Sequence, residues 1–399
     1  MTRIAQPPSS YDLTARVLHW LTACVILLLF ALGLAASNWP MDTGEAFAVK
    51  SALFSAHKTL GITALVLAVI RIIWALSRTH PAPLASHGAV IRALSGIVHW
   101  SLYVALLAVP VTGWLHHATS TGFAPIWWPF GQTLPLLPQD AALSGAFGAM
   151  HWLATKLLAV LVLAHVGGAL LHHWRDRDVT LLRMTRGSVP GAATVAPGAH
   201  ALRVLPALGI WVLALGIALA LPRGVPVAET VLGAGRGDWV VEQGEIAFTV
   251  TQTRQPVRGR FARWSADITF DPEPVAGRHG TVRVEIDITS LGLGAVTADA
   301  LAPEFFDANN HPVAVFDAEI VPGEDGAYLA RGTLSLKGTE RAVELPFTLV
   351  LEGERARMEG RVTLDRRDFV IGPNYADEAT VGFPVSVEVA LEATRRLPD

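Results

Sequence analysis

The sequence predicts a multidomain membrane protein: an all-α transmembrane four-helix bundle with a fifth transmembrane helix, followed by an all-β antiparallel barrel. Three observations predict it. Half of the 399 residues are apolar and only 16% are charged, with a positive mean hydropathy, a balance that suits a membrane protein. Four apolar segments in the first half each approach the ~20 residues a helix needs to cross the ~30 Å hydrocarbon core. From about Gly235 the composition turns to alternating polar and apolar residues rich in Gly, Glu, Arg and Thr.

The four segments lie at about 17–37, 56–77, 95–115 and 150–173. No cleavage pattern precedes the first, which is expected to be retained as a span. The fifth, LRVLPALGIWVLALGIALALP, covers about 202–222 and ends in the turn-rich PRGVP. The expected division is a helical domain over 8–186, a linker with the fifth span over 187–235, and a β domain over 236–396. Arginines set the orientation. Arg3 and Arg16 precede span one, Arg78 and Arg92 separate spans two and three, and Arg175, Arg177, Arg183, Arg186 and Arg203 follow span four. The opposite loops hold Lys50 in one case and neither Lys nor Arg in the other (118–149). The N-terminus is therefore expected in the cytoplasm and the β domain outside, in the periplasm of a Gram-negative cell. Trp39, Trp127 and Trp128 on one side, with Trp20, Trp100 and Trp174 on the other, fit aromatic belts. A net charge of −3 gives no footprint for nucleic acid. The single cysteine, Cys24, allows no internal disulfide.

Span four carries His151, His165, His172 and His173. Ionisable residues within spans are costly and usually functional, although a histidine can also hydrogen-bond between helices. His151 and His165 are 14 residues apart, so they lie near one face of the helix, ~21 Å apart along its axis. In the derived orientation His57 is level with His151, and His19 with His165. This gives two bis-histidine pairs stacked across the bilayer, the arrangement with which facing helices hold six-coordinate haem. No CxxCH occurs, so the haem is expected to be b-type. Gly61, Gly113, Gly167 and Gly168 have two open readings: close approach of a macrocycle, or close helix packing.

The segments ARVLHW around His19, AHKTLGITALVLAVIRIIW around His57, HWSLYVALLAVPVTGW, and MHWLATKLLAVLVLAHVGGALLHHW followed by DVTLLRM resemble the bacterial four-helix dihaem cytochrome b-561 family over 8–186. The resemblance implies two haem b groups on His19, His57, His151 and His165, exchange of electrons with membrane quinone, and, for some members, oxidation of superoxide. His99 and His172 are then candidates for a quinone site, with simple interfacial histidines as the other reading. Arg71 is a candidate for a haem propionate or a snorkelling side chain. Lys58 and Lys156 are candidates for attracting a small anion such as superoxide, or ordinary helix-end lysines. His116, His117 and His173 are expected at the interface, and His80, His87 and His200 in loops. The segment TSTGFAPIWWPFGQTLPLLPQD is long for a helix connection and reads as a lid near the outer haem or as an interfacial anchor.

In the second half TVRVEIDITSL places Val282, Val284, Ile286 and Ile288 on one face, with Arg283, Glu285 and Asp287 on the other. FPVSVEVALEA does the same with Val385, Val387, Val389 and Leu391. Repeated with turn signals such as PGEDG and EGER, this predicts a closed or nearly closed antiparallel sheet, with a filled core or a ligand cavity inside. FTVTQTRQPVRGRFARWSADITFDP, EFFDANNHPVAVFDAEI, GTLSLKGTERAVELPF and LDRRDFVIG are similar to the YceI-like family over about 236–396. That implies a lipocalin-like fold with an apolar tunnel for polyisoprenoids, quinones included. Thr251–Gln252 departs from the basic and aromatic pair that relatives often carry after FTV. Phe248, Phe261, Phe270, Phe316 and Phe347 are candidates for lining the tunnel, or ordinary core; Asn309 and His311 read as structural members of a turn.

Together these readings imply a bacterial inner-membrane cytochrome that moves electrons between an outer-face donor, superoxide as the first choice or a redox protein, and membrane ubiquinone. It would be an oxidoreductase of superoxide:quinone type, joined to a periplasmic barrel for quinone or another polyisoprenoid. Two rivals are an electron-relay subunit for a separate dehydrogenase and a lipid or quinone carrier with a redox-sensing membrane half.

Overall fold

The computed structural model describes residues 10–78, 81, 84, 88–120, 123–187, 204–220, 232, 235, 237–324 and 326–396. His80, His87, His200, Arg3, Arg203 and the ends of the expected fifth span lie outside the described residues. The chain divides into two compact units. The first holds the described parts of Met1–Asn38, Leu53–Thr119 and Pro125–Arg223; the second holds those of Trp39–Ala52, Ser120–Ala124 and Gly224–Asp399.

The helices are α1 (Leu13–Asn38), α2 (Gly44–Ser77), α3 (Ala89–Thr119), α4 (Ala141–Trp174), the short α5 (Thr180–Thr185) and α6 (Val204–Ala220). The first four are long and apolar enough to cross a membrane. They outrun the apolar segments of the sequence because a helix is held by its own backbone bonds, whereas hydropathy marks only the part that suits lipid. Asp140 shows where α4 begins: its carboxylate accepts from the Leu143 amide at 2.8 Å.

Within the first unit, α3, α4 and α6 pack closely. Their shared core contains Ala105, Ala154, Leu158, Leu161 and Trp211. Trp211 is 2% exposed, and its indole N–H donates to the Ser101 carbonyl at 3.0 Å. A helical side chain covers the turn on its N-terminal side, so the small Ala105, four residues after Ser101, leaves that carbonyl within reach. The sixth helix is thus keyed into the bundle by one aromatic residue.

Among the described residues the second unit contains ten strands: β1 (Trp239–Gln252), β2 (Gln255–Phe261), β3 (Trp264–Val275), β4 (Arg278–Asp287), β5 (Leu291–Gly292), β6 (Val313–Pro322), β7 (Tyr328–Leu336), β8 (Thr339–Glu352), β9 (Arg355–Asp365) and β10 (Val381–Arg395). A short helix, α7 (Thr297–Leu301), sits between β5 and β6. Eight strands close into an antiparallel barrel in the order β10-β9-β8-β7-β6-β4-β3-β1, and β1 pairs back to β10 from Trp239↔Arg395 to Gln252↔Val381. The strands β2 and β5 extend from β1 as an offshoot. The two-residue alternation predicts the inward faces: Val282, Val284 and Ile286 of β4 and Val385, Val387 and Val389 of β10 all face the interior cavity.

Asp287 differs from the outward, solvated position expected of it: it is fully buried. It ends β4 and starts a helical turn, accepting from the Thr289 amide at 2.9 Å and from Arg263 Nε at 2.8 Å. In the turn after α7, Asp307 accepts from Asn310 Nδ2 at 3.0 Å and its carbonyl from the His311 amide at 2.9 Å.

Arg366 stabilises the segment before β10. It is 4% exposed, and its five N–H groups go to the carbonyls of Gly382, Ile371, Gly372, Tyr375 and Val381. Arg366→Met removes every one of these donors while keeping an apolar stem. The expected result is a barrel destabilised by about 3 kcal/mol or more, since buried carbonyls are left unmatched. Limited proteolysis of the full chain across a urea series checks this, and an unmoved midpoint for barrel cleavage would count against it.

Candidate functional site

Three imidazoles are seated in the same way on a neighbouring helix. His57 of α2 donates from Nδ1 to the Leu29 carbonyl of α1 at 3.0 Å. His151 of α4 donates from Nδ1 to the Val109 carbonyl of α3 at 3.0 Å. His116 of α3 donates from Nδ1 to the Ser144 carbonyl of α4 at 2.9 Å. In each case the residue four positions after the carbonyl is glycine: Gly33, Gly113 and Gly148. A Cβ there would stand 3.1, 2.9 and 3.2 Å from the imidazole Cε1. Only glycine leaves both the carbonyl and the space beside it open to the ring. A carbonyl can only accept, so Nδ1 carries the proton and Nε2 keeps a lone pair.

The expected pairs come together. The His57 and His151 rings have centroids 6.4 Å apart at 83°, and those of His19 and His165 are 6.0 Å apart at 61°. A metal about 2 Å from each of two imidazole nitrogens sets ring centroids roughly 6 Å apart. In the His57–His151 pair neither Nε2 has a hydrogen-bond partner among the described residues, so these two rings would fit a bound iron.

The His19–His165 pair differs. Arg71 Nη2 donates to His19 Nδ1 at 3.0 Å, which keeps the proton of a neutral His19 ring on Nε2. Nε2 can ligate iron only once this contact is released. Arg71 also lies over the Tyr103 ring at 5.7 Å. His99 sits 4.9 Å from His165, ring centroid to centroid, with its own Nδ1 donating to the Ser95 carbonyl at 2.6 Å.

Lys58 belongs to a hydrogen-bonded chain. Its Nζ lies 3.3 Å from His117 Nδ1, and His117 Nε2 donates to Gln132 Oε1 at 2.9 Å. Gln132 Oε1 also accepts from the Ile126 amide at 2.8 Å, and the Trp127 amide donates to Thr59 Oγ1 at 2.9 Å. These bonds pin the long connection between α3 and α4 to the bundle. They engage His117 inside the protein, where it is 8% exposed. Lys156 lies over the Trp152 ring at 5.7 Å. His172 Nδ1 meets the Asp176 carboxylate at 2.7 Å.

The barrel encloses an apolar cavity of about 280 Å³. Phe248, Phe261, Phe270, Phe316 and Phe347 all line it. Phe270 and Phe347 each contact Tyr328 at one end, with ring centroids 5.3 and 5.6 Å away. Phe248 and Phe261 lie 5.6 Å apart at the end formed by β2 and α7.

The sequence model described as prokaryotic cytochrome b561 matches residues 10–187. Cytochrome b561 homolog 2 of Escherichia coli (strain K12) is 33% identical over 183 residues, covering 44% of this chain and 92% of that protein. The chain belongs to the prokaryotic cytochrome b561 family. A protein of Yersinia pestis described as a probable superoxide oxidase, CybB, is 28% identical over 171 residues, covering 42% of this chain and 90% of its own length. The model of the YceI-like domain matches residues 239–393. The crystal structure of Burkholderia cenocepacia BcnA is similar at 27% identity, covering 38% of this chain and 96% of that one, with a TM-score of 0.36.

The protein is thus a cytochrome b561-type membrane electron-transfer protein fused to a YceI-like, polyisoprenoid-binding barrel. Cytochrome b561 membership implies haem b. The His57–His151 pair suits that group on this structure's own terms, because two backbone carbonyls and two glycines orient both rings.

Sequence reading pointed to the histidines but missed Gly33 and Gly148. The available signal was a glycine in one span facing a histidine in another, which needs the helix pairing to be known. A discriminating variant is Gly113→Ala. Its methyl would displace the His151 ring from Val109, and the expected outcome is loss of the haem absorption that depends on the His57–His151 pair. Gly216→Ala on α6, where an added Cβ meets nothing within 4 Å, should leave the spectrum intact. Identical spectra for both variants would remove the glycine seat from the account.

Proposed function

We propose that this cytochrome b561 binds two haem b groups, one between His57 and His151 and one between His19 and His165, and passes electrons from superoxide at the outer face to ubiquinone in the membrane. The observation that carries the reading is the outer pair, with both Nδ1 groups bonded to helix carbonyls and both Nε2 lone pairs available. His165 on the same helix supports a second level, 14 residues away. Haem iron supplies single-electron storage, which suits a one-electron donor and a two-electron acceptor. Two superoxide anions each give up one electron and leave as dioxygen; ubiquinone takes the two electrons with two protons and becomes ubiquinol.

The chain's own residues serve the ends of this path. Lys58 and Lys156 attract the anion toward the outer pair. Arg71, once released from His19, offers its guanidinium to a carboxylate such as a haem propionate. His99 and His172 serve the quinone. Their Nδ1 protons are engaged by the Ser95 carbonyl and the Asp176 carboxylate, so Nε2 is the position that gains and loses a proton. The arginine distribution supports an N-terminus in the cytoplasm, with α6 as a fifth span and the barrel in the periplasm.

Haem and iron analysis of the purified chain is expected to give two b haems per chain. His57→Ala or His151→Ala should remove one, and His19→Ala or His165→Ala the other. A superoxide pulse should reduce the haems quickly, and added ubiquinone should reoxidise them. Haems that quinol reduces but superoxide does not would sink the donor assignment. For Lys58→Met the rate with superoxide is expected to fall several-fold and to lose part of its salt dependence; an unchanged rate would remove Lys58 from the anion path.

A further inference from the structure

Among the described residues lining the barrel cavity, three carry side-chain amide, carboxyl or guanidinium groups: Gln252, Asp299 and Arg366. The two-residue alternation of β1 turns Ile246, Phe248, Val250 and Gln252 inward, and all four line the cavity. Three of them are apolar, so the polar one at the end of the strand stands out. Gln252 pairs with Gln255 across the β1–β2 turn and with Val381 across the β1–β10 seam, where the register shifts. It is 8% exposed, and its Oε1 is sealed from solvent with no hydrogen-bond partner among the described residues. Buried amide oxygens are almost always matched, and an unmatched one at a cavity wall is a position for a ligand donor.

No neighbour on the cavity wall can supply that donor in the present arrangement. Arg366, the only cation among the described lining residues, already gives all five N–H groups to backbone carbonyls. The Tyr375 hydroxyl, at the same end of the barrel, donates to the Met41 carbonyl. Asp299 is the remaining polar lining group. Burial pushes its carboxyl up, partly offset by Lys50.

We propose that Gln252 seats the head group of the barrel's isoprenoid ligand and selects an uncharged hydroxyl: a prenylated quinol or a polyprenol, in preference to a quinone or a phosphate ester. The inference rests on the isoprenoid-binding reading of the barrel. A hydroxyl gives the proton that Oε1 lacks, whereas a quinone carbonyl would set lone pairs against lone pairs. A phosphate would need a cation, and the cation in this wall is fully engaged. A barrel with this preference would hold the reduced product of the membrane half rather than its substrate.

The test uses the full chain in lipid nanodiscs. Binding of geranylgeraniol is compared with that of the matching hydrocarbon without the hydroxyl, for the native chain and for Gln252→Met. The native chain is expected to favour the alcohol by about tenfold, the scale of one buried hydrogen bond, and the variant to lose that preference. Resistance of the barrel to limited proteolysis in the full chain reports that the variant is folded. Geranylgeranyl phosphate should bind no more tightly than the alcohol. A short-chain ubiquinol should lose affinity on substitution while the corresponding ubiquinone does not, which separates a quinol from a polyprenol as the ligand class. An alcohol preference that survives Gln252→Met overturns the proposal and leaves the barrel an isoprenoid binder. Loss of quinone binding equal to that of quinol overturns the hydroxyl preference, since a rotated amide would then be presenting Nε2. Failure of every isoprenoid to bind the native chain overturns the isoprenoid reading as well.

Discussion

The membrane half depends on making a helix carbonyl available to an outside donor. A carbonyl inside a helix already accepts from the amide four residues later and is screened by that residue's side chain. Glycine at that position removes the screen, and a histidine from the next helix can then donate Nδ1–H to the exposed lone pair. The structure uses this device at Leu29 with Gly33, Val109 with Gly113 and Ser144 with Gly148. It fixes ring position, ring rotation and tautomer with one bond. Ser101 and Ala105 apply a milder form of the rule to receive the Trp211 indole.

The barrel is organised by the opposite tactic. Its inner face is apolar almost throughout, and alternation along β1 turns Ile246, Phe248, Val250 and Gln252 toward one cavity. Where polar groups do appear inside, each has a distinct position in the hydrogen-bond inventory. Arg366 is saturated by carbonyls, Asp287 by Arg263 and Thr289, and Gln252 is left with an unmatched oxygen. That contrast identifies the residue with capacity to spare.

Hydropathy and alternation made the two-part fold legible, because both report how side chains divide between water, lipid and core. Depth along the spans was also readable, since rise per residue is fixed. What could not be read was which helix face meets which. The inner group shows the consequence: His19 and His165 do approach, yet Arg71 occupies His19 Nδ1 and His99 stands closer to His165 than His19 does. Lateral placement of this kind depends on packing among four helices, and no periodicity in one of them encodes it. Asp287 escaped for a related reason. Alternation assigns it to the outer face, but the end of a strand is also a cap, and a carboxylate there turns inward to meet backbone amides. The register of β1 against β10 likewise had to be seen before Gln252 could be located at the strand's end.

The Trp211 contact bears on how such a two-part protein can be taken apart or rebuilt. A helix that merely carried a cargo to the far side could be exchanged for any apolar stretch of similar length. Here α6 inserts an indole between α3 and α4 and bonds it to a particular carbonyl. Cutting the gene before α6 would therefore leave an indole-shaped gap in the electron-transfer half as well as freeing the barrel. The sixth helix therefore belongs to the electron-transfer half as a solid, and recombination between such modules would have to carry it with the first four.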